Sequence, residues 1–343
     1  MTSGSPRAAG ANTIQGAPTL QIQEETFERL EPEWRALLPG SCVAAPFLTS
    51  TWLKVWWDHF GAGHELLLLS FREGGQLRGL APMMRTGDVL SFVALTDICD
   101  YHDFIFPCGS EEPYFRALLQ KLAADKDWRC MQLEGLREGS AALAMLPGLA
   151  MAYGLSVAVA QEEVSPHIPV TPTWDDYLTC LDGKDRHELR RKMRRLESAG
   201  TVRITTASTA TLGQDVAQFL GMLRDSRETK AAFLTTERER FFHDLAKAMD
   251  AEGLLKLFFL ELDGKRLAGA FCFDYENSYY LYNSGYDTRY ASLSVGLLLK
   301  ALLVKDAIQR GKREYDLLRG AETYKYHLGA KDRWLHRMVI ERK

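Results

Sequence analysis

The sequence predicts an α/β (α+β) fold of two similar units in tandem, each built on a mixed central sheet flanked by helices. Each half contains an apolar pair of strands joined by a short turn, at residues 66–82 and 255–273. The second turn contains Asp263 and Gly264, a pair that favours the tight turn of a β-hairpin. Both hairpins are followed by the order strand, helix, strand, and a repeated order of this kind indicates an internal duplication.

The length and composition fit two folded domains. A chain of 343 residues with 46% hydrophobic and 25% charged residues is typical of a folded soluble protein. Residues 1–19 are mostly small and polar, so we expect a disordered tail. Three prolines within residues 164–172 predict an extended connector. The predicted units are therefore residues 20–163 and residues 173–343.

Charge and cysteine content exclude several classes of protein. The net charge of −3 gives no overall positive field for DNA. Six scattered cysteines without a C-x-x-C pair suit a reducing cytoplasm and argue against structural zinc. The histidines lack metal-ligand spacing, so no metal site is expected. No apolar run approaches the ~20 residues of a membrane span, and no signal peptide is recognisable, which predicts a cytoplasmic location.

A loop at residues 287–294 joins a tyrosine-rich strand to an almost wholly apolar helix at 295–309. The first N–H groups of a helix lack partners and, together with the helix dipole, attract anions. Ser292, Ser294 and Gly296 are small enough for a phosphate to approach the backbone. Arg289 would add positive charge at the rim. The alternative is an ordinary serine N-cap.

Two motifs carry a resemblance to a known family. Arg289-Tyr-Ala-Ser292-Leu-Ser294 lies in the register of the acyl-CoA loop of the GNAT superfamily, with serines at its two glycine positions. The run Tyr-Asp-Leu-Leu-Arg-Gly-Ala-Glu-Thr-Tyr-Lys at 315–325 resembles the bacterial GNAT branch grouped with cellulose-biosynthesis proteins and related to Fem-type peptidyltransferases. The resemblance covers most of residues 170–343 well and residues 20–165 weakly. It implies acyl-CoA as co-substrate, held by Arg289, Ser292, Ser294, Val295 and Gly296.

Acyl transfer from a thioester to an amine needs a base, an oxyanion donor and a proton for the leaving thiolate. The 315–325 run offers four candidate catalytic residues, Asp316, Glu322, Tyr324 and Lys325. The resemblance implies that Tyr324 protonates the thiolate and that Lys325 contacts an anionic group of the substrate. Alternatively, Asp316 pairs with Arg319 and Tyr324 only packs.

Two further groups are candidates for acceptor binding. Arg319 ends the predicted strand, and the acidic stretch 97–103 contains Asp100, His102 and Asp103, which could hold a cationic amine or act as turn residues. A predicted helix at 186–196 carries six Arg or Lys residues. These either contact phosphates or form a solvated basic face.

The sequence thus predicts an acyltransferase that moves an acetyl or other acyl group from acyl-CoA to an amine or hydroxyl of a cell-envelope or polysaccharide-type acceptor. One alternative is a Fem-like transferase using aminoacyl-tRNA, which the basic helix favours and the net charge does not. Another is a non-catalytic module of the same fold, favoured by the serines in the phosphate loop. The first unit is expected to bind no cofactor, because Glu111 and Glu112 would repel a pyrophosphate at its helix start.

Overall fold

The structure, a computed structural model, describes residues 20–342 and contains two mixed sheets. The strands are β1 (Gln21–Glu25), β2 (Glu65–Glu73), β3 (Gln76–Thr86), β4 (Val89–Phe92), β5 (Cys130–Arg137), β6 (Ser156–Val164), β7 (His167–Pro169), β8 (Val202–Thr206), β9 (Leu255–Leu262), β10 (Lys265–Tyr275), β11 (Ser278–Tyr286), β12 (Glu314–Asp316) and β13 (Trp334–Glu341). The first sheet has the order β1-β2-β3-β4-β5-β13-β6, and the second β7-β12-β11-β10-β9-β8. The predicted fold class is confirmed. The predicted tail lies outside the described residues.

Helices flank both sheets. They are α1 (Phe27–Leu37), α2 (Ser50–Phe60), α3 (Glu112–Ala124), α4 (Ala141–Ala152), α5 (Trp174–Cys180), α6 (Gly183–Glu197), α7 (Leu212–Ser226), α8 (Glu228–Phe233), α9 (Thr236–Ala251), α10 (Val295–Gln309) and α11 (Thr323–His327). A 3₁₀ turn, Thr288–Leu293, precedes α10. No helix within residues 20–342 combines the length and apolar character needed to cross a bilayer.

Both predicted hairpins are present. β2 pairs antiparallel with β3, and β9 with β10. Asp263 and Gly264 both have positive φ, 50° and 80°, which is the backbone that a tight two-residue hairpin turn requires. These pairings are local in sequence, so the turn residues and the strand patterns were sufficient to predict them.

The last strand departs from the predicted division of the chain. Residues 173–343 were expected to form one unit, but β13 lies in the first sheet, between β5 and β6. Leu335 is fully buried in the core between the units, whereas Met338 and Ile340 are fully buried in the core of the first unit. In exchange, the short β7 pairs with β12 of the second sheet. The burial of these three side chains and the pairing with β5 and β6 hold the strand in the first sheet, although its residues are close in sequence to the second.

One apolar core runs between the two units. α7 and α9 cover one face of the second sheet, and α9 also packs against α2 of the first unit. Trp52 of α2 meets Phe241 of α9 with ring centroids 6.0 Å apart. The opposite face of the second sheet is covered by α5, α6 and α10. The site described below therefore lies on a sheet that is supported from both sides.

The cysteines differ from expectation at one place. Cys42 and Cys108 form a disulfide with their Cα atoms 5.0 Å apart. They are 66 residues apart in sequence, so spacing could not reveal the pair. Within residues 20–342, Glu111 brings a possible third metal-ligand atom to within 4.8 Å of these sulfurs. Disulfide-bonded sulfurs lack the thiolate charge that binds a metal, so this group has no ligating thiolate.

Candidate functional site

The candidate site begins where two neighbouring strands separate. β11 and β12 run parallel only over three residue pairs, from Ser278 with Glu314 to Tyr280 with Asp316. Beyond them β11 contains a bulge, in which Tyr282 is the extra residue opposite β10. The divergence leaves an edge of β11 open beside the start of α10. A cavity of about 240 Å³ lies there, lined by Ser226, Arg227, Lys230, Ser284, Tyr286, Ala291, Ser294, Val295, Gly296, Leu297, Lys300, Glu322 and Tyr324.

The start of α10 faces this cavity. Ser294 has left-handed φ and ψ of 57° and 33°, and its carbonyl accepts the N–H groups of Leu297 and Leu298 at 3.1 and 3.0 Å. Helix geometry leaves the N–H groups of Val295 and Gly296 without an intrahelical acceptor. A Cβ on Gly296 would come within 3.0 Å of the Tyr286 ring, so glycine permits this close approach. The positive end of the helix is therefore directed at the cavity.

Ser294 does not act as an ordinary N-cap. Its side chain makes no capping hydrogen bond to the helix. Its hydroxyl instead accepts a hydrogen bond from Arg195 Nη2 of α6, at 3.2 Å. The basic helix thus contacts the predicted phosphate loop through Arg195, a contact that the sequence did not predict because the two residues are 99 positions apart.

Three cations that sequence reasoning missed line the cavity, Arg227, Lys230 and Lys300. Lys300 is only 7% exposed, and its Nζ donates to the Gly296 carbonyl at 3.1 Å. Burial, aided by the charges of Lys230 and Arg227, lowers the pKa of Lys300 to about 7. Lys230 donates to the Ser284 carbonyl, and burial lowers its pKa to about 8. A lysine four residues after Gly296, within the apolar first part of the helix, was the available signal, since unpaired lysines are rarely buried.

Two predicted catalytic residues line the same cavity. The Tyr324 ring lies 4.5 Å from Lys300 Nζ, and burial raises the pKa of Tyr324 above its usual range. The phenol therefore stays protonated and can donate a hydrogen bond. Glu322 is exposed at the cavity edge, and its carboxylate is 3.0 Å from Lys325 Nζ. A proton donor, Tyr324, and a carboxylate, Glu322, thus lie beside a helix start that attracts anions.

Lys325 is placed differently from its predicted role. Its Nζ donates to the carbonyls of Leu318, Arg319 and Gly320, at 2.7, 2.7 and 2.9 Å, and the residue is 1% exposed. Leu318 and Gly320 have positive φ of 59° and 104°. The lysine thus uses its three protons to hold a tight turn, and it does not line the cavity.

Asp316 and Arg319 lie at the junction of the two units. Asp316 is fully buried and accepts hydrogen bonds from the Tyr101 hydroxyl at 2.7 Å and Arg333 Nη1 at 3.3 Å. Arg319 pairs with Glu162 of the first unit. The alternative in which Asp316 pairs with Arg319 is therefore wrong, because each has its own partner. Neither residue lines the cavity at α10.

Two residues of the predicted phosphate loop also lie outside the cavity. Arg289 is exposed, and its guanidinium pairs with Asp287 two residues earlier, at 2.7 Å. Ser292 is exposed and does not line the cavity. The cations that line the cavity at the helix start come from α8, from the residue before it and from α10 itself, instead of from the loop.

The structure separates the three acceptor candidates of the first unit. Asp100 accepts the backbone N–H of Arg319 at 3.0 Å. His102 lines a cavity at the ends of β4 and β5, whereas Asp103 lines another at the start of α3. Burial raises the pKa of both aspartates to about 6. Adjacent residues of an extended segment point to opposite sides, so neighbours in sequence face different cavities here.

The start of α3 is the counterpart of the α10 site in the first unit. Glu111 is 8% exposed there and accepts the Gly109 N–H at 2.9 Å. A carboxylate at a helix start interacts favourably with the dipole and disfavours a second anion. That this unit binds no cofactor stays a prediction.

In comparisons with known proteins, the family match lies in the second unit. Residues 183–326 match the family model described as Acetyltransferase (GNAT) domain. No curated protein matches the sequence. The crystal structure of FemX is similar at 11% identity with a TM-score of 0.66, covering 92% of this chain and 96% of that one.

Two other solved structures extend this likeness. The C-terminal domain of a putative lysylphosphatidylglycerol synthetase from Agrobacterium fabrum has a TM-score of 0.56 at 12% identity, with 92% of each chain covered. A tandem GNAT protein from the clavulanic acid biosynthesis pathway has 0.50 at 11%, covering 93% and 98%. These likenesses show a shared fold. Every residue that lines the α10 cavity falls within 183–326, the segment similar to a GNAT acetyltransferase domain.

Proposed function

We propose that the protein is an acyl-CoA-dependent acyltransferase whose co-substrate binds in the cavity at the start of α10. The observation that carries the proposal is the convergence of Arg227, Lys230 and Lys300 on the free N–H groups of Val295 and Gly296. A pyrophosphate is stabilised by such N–H groups and by nearby ammonium groups. Within residues 20–342, Lys300 forms no ion pair, so its charge remains available to an incoming anion.

The reaction on this proposal breaks the thioester C–S bond and forms a C–N or C–O bond. Glu322 accepts the proton of the attacking amine or hydroxyl, and Tyr324 donates a proton or a hydrogen bond to the departing thiolate. Both residues that exchange protons already line one cavity.

The acceptor class rests on the sequence. The 315–325 run resembles the bacterial branch grouped with cellulose-biosynthesis proteins, and it supports a cell-envelope or polysaccharide-type acceptor with a free amine or hydroxyl. The open side of the cavity supports this, because Glu322 is exposed where such an acceptor would approach.

A second candidate is aminoacyl transfer from a charged tRNA, and one surface favours it. Arg186, Arg190 and Arg194 line an open groove of about 650 Å³ beside Trp174. Among residues 20–342, Arg190 and Arg194 form no ion pair. Free arginines next to a half-buried aromatic ring suit a phosphate backbone and a stacked base. Similarity to FemX and to a putative lysylphosphatidylglycerol synthetase is compatible with this candidate.

One experiment separates the two. The purified chain is first analysed by intact mass spectrometry for co-purified CoA, and is then incubated with acetyl-CoA and a panel of amine and saccharide acceptors. Acceptor-dependent release of free thiol, lost in Lys300→Met and retained in Lys305→Met, supports the acyl-CoA proposal. Absence of thiol release together with transfer from aminoacyl-tRNA, weakened in Arg190→Ala with Arg194→Ala, contradicts it in favour of the second candidate.

A further inference from the structure

A separate cavity of about 340 Å³ lies in the first unit, at the ends of β3, β4 and β5. Its lining is partly apolar and partly polar: His64, Met84, Thr86, Val89, Ser91, Phe92, Ala94, Leu95, Thr96, His102, Gln132 and Glu134. Ser91 and Gln132 are partners in the parallel pairing of β4 with β5. Glu134 shares their face, two residues further along β5. None of these residues lines the α10 cavity.

His102 is the unusual member of this lining. It is 3% exposed, and its ring stacks on Phe92 with centroids 5.7 Å apart and planes 8° apart. Its Nδ1 is 3.2 Å from the Glu134 carbonyl, which can only accept, so Nδ1 carries the proton. The other nitrogen, Nε2, is then a bare acceptor. It is buried and has no hydrogen-bond partner among residues 20–342.

The ring stays neutral over the physiological pH range. Burial, aided by the charge of Arg319, lowers the pKa of His102 to about 3. A buried acceptor without a partner costs free energy, so a ligand that donates a hydrogen bond to Nε2 would be favoured.

The charges of the lining define the sign of that ligand. Among residues 20–342, no lysine or arginine lines the cavity, and the half-buried Glu134 supplies a carboxylate. Arg319, which donates to the carbonyl of the lining residue Thr96, is paired with Glu162. Within the described part of the chain, residues 20–342, Glu134 Oε2 accepts only a long hydrogen bond from the Thr96 hydroxyl, at 3.3 Å. Nδ1 of His64 is hydrogen-bonded to the Thr86 hydroxyl at 2.5 Å. An anion would meet the carboxylate without a compensating cation, whereas a cationic donor would find two acceptors.

The remaining walls are apolar. Met84, Val89 and Phe92 lie along the cavity, and Leu95 at its rim is 44% exposed. Such walls suit a short hydrocarbon body behind a charged head, since small-molecule sites combine apolar walls with a few placed polar groups.

We propose that this cavity is a ligand site for a small primary amine, whose ammonium group donates to His102 Nε2 and pairs with Glu134 while its hydrocarbon part packs on Phe92 and Met84. The site stands independently of the acyl-CoA proposal, because the two cavities share no residue.

The test uses n-butylammonium as the probe, with butyrate and tetramethylammonium as comparison ions. The full chain is titrated with each, and binding is followed by calorimetry and by the ¹⁵N resonance of His102 Nε2. The expected result is saturable binding of n-butylammonium with a shift of that resonance. Butyrate, which has the same hydrocarbon part and the opposite charge, should not bind. Tetramethylammonium, which lacks N–H donors, should bind more weakly and leave the resonance unchanged.

Variants decide whether the lining residues are responsible. Glu134→Gln keeps the shape of the side chain and should weaken n-butylammonium binding by about tenfold or more, the loss expected for a charged hydrogen bond. Glu163→Gln, an exposed acid on β6, should leave binding unchanged. Equal binding of n-butylammonium and butyrate, or unchanged affinity in Glu134→Gln with an unaltered melting temperature, would overturn the proposal.

Discussion

Lys300 Nζ lies 4.5 Å from the centre of the Tyr324 ring, and both side chains line the cavity at the start of α10. The face of an aromatic ring stabilises a nearby cation. Burial opposes the charge and holds the pKa of Lys300 at about 7, so its protonation depends on what occupies the cavity. We therefore expect Lys300 to couple anion binding to proton uptake. It does so beside Tyr324, the phenol proposed to donate to the leaving group.

Coenzyme A binding should take up protons near pH 8. Bound phosphate favours charged Lys300 and Lys230, so their pKa values rise on binding and protons enter from solvent. Calorimetry at pH 8 in buffers of different ionisation enthalpy measures this uptake, which should fall in Lys300→Met. Lys305→Met removes a lysine of the same helix outside the cavity and should match the wild type. Uptake that is equal in all three proteins would contradict the placement of the phosphate.

Ser294→Asp should weaken coenzyme A binding by about 1–3 kcal/mol, because it places a negative charge where the phosphate is proposed to lie. Aspartate tolerates the left-handed backbone of this position better than most residues, so the fold should persist. Ser292→Asp makes the same charge change two residues earlier, outside the cavity, and should have a smaller effect. The measurement is the dissociation constant for coenzyme A, and equal losses in the two variants would remove Ser294 from the site.

Tyr324→Phe should bind coenzyme A normally and lower acyl transfer by about 10²–10⁴-fold, the usual contribution of one general acid. The measurement is the single-turnover rate of thiol release with acceptor present. Tyr326→Phe is a matched control, since the Tyr326 hydroxyl bonds to Asp332 outside the cavity. Unchanged turnover in Tyr324→Phe would leave the tyrosine with a packing role only.

Lys325→Met should destabilise the fold by about 1–3 kcal/mol or more, because three carbonyls of the 318–320 turn lose their donor. Urea unfolding measures the loss, with the exposed Lys331→Met as control. A variant of wild-type stability that has lost turnover would instead restore the catalytic role that the sequence suggested.

The contribution of Asp103 to the free energy of unfolding should fall as the pH rises. Its folded pKa of about 6 exceeds the unfolded value of 3.8, so the folded state binds more protons between these values. The free energy of unfolding contributed by this group therefore falls as pH rises from about 4 to 6. Comparing Asp103→Asn with the wild type over this range separates the effect of Asp103 from that of the other carboxyl groups. The free energy of unfolding of the variant should increase relative to that of the wild type as the pH rises from about 4 to 6. Parallel pH profiles would show that Asp103 is not desolvated.

The sequence predicted features that depend on residues close together in the chain. It missed those that depend on contacts between residues distant in sequence. The hairpins and the start of α10 follow from turn residues and apolar patterns within short windows. Lys230 reaches the cavity from α8, 54 residues from the Ser284 carbonyl to which it donates. No local pattern marks such a residue. Lys325 was predicted to lie in a turn and lies in the short helix α11. Its surroundings decide whether its protons are free, and here three carbonyls accept them.

The position of β13 has a consequence for how the protein is made. During synthesis the first sheet has β5 and β6 available early, but residues 334–341, which hydrogen-bond to both, emerge only after the entire second unit. Until the second unit has been synthesised, the edges of β5 and β6 that pair with β13 are therefore unpaired, and unpaired strand edges promote aggregation. Closure of the gap by β13 then ties the two units together through main-chain hydrogen bonds. A genetic split within the connector at 164–172 should accordingly yield halves that recover structure only when they are produced together.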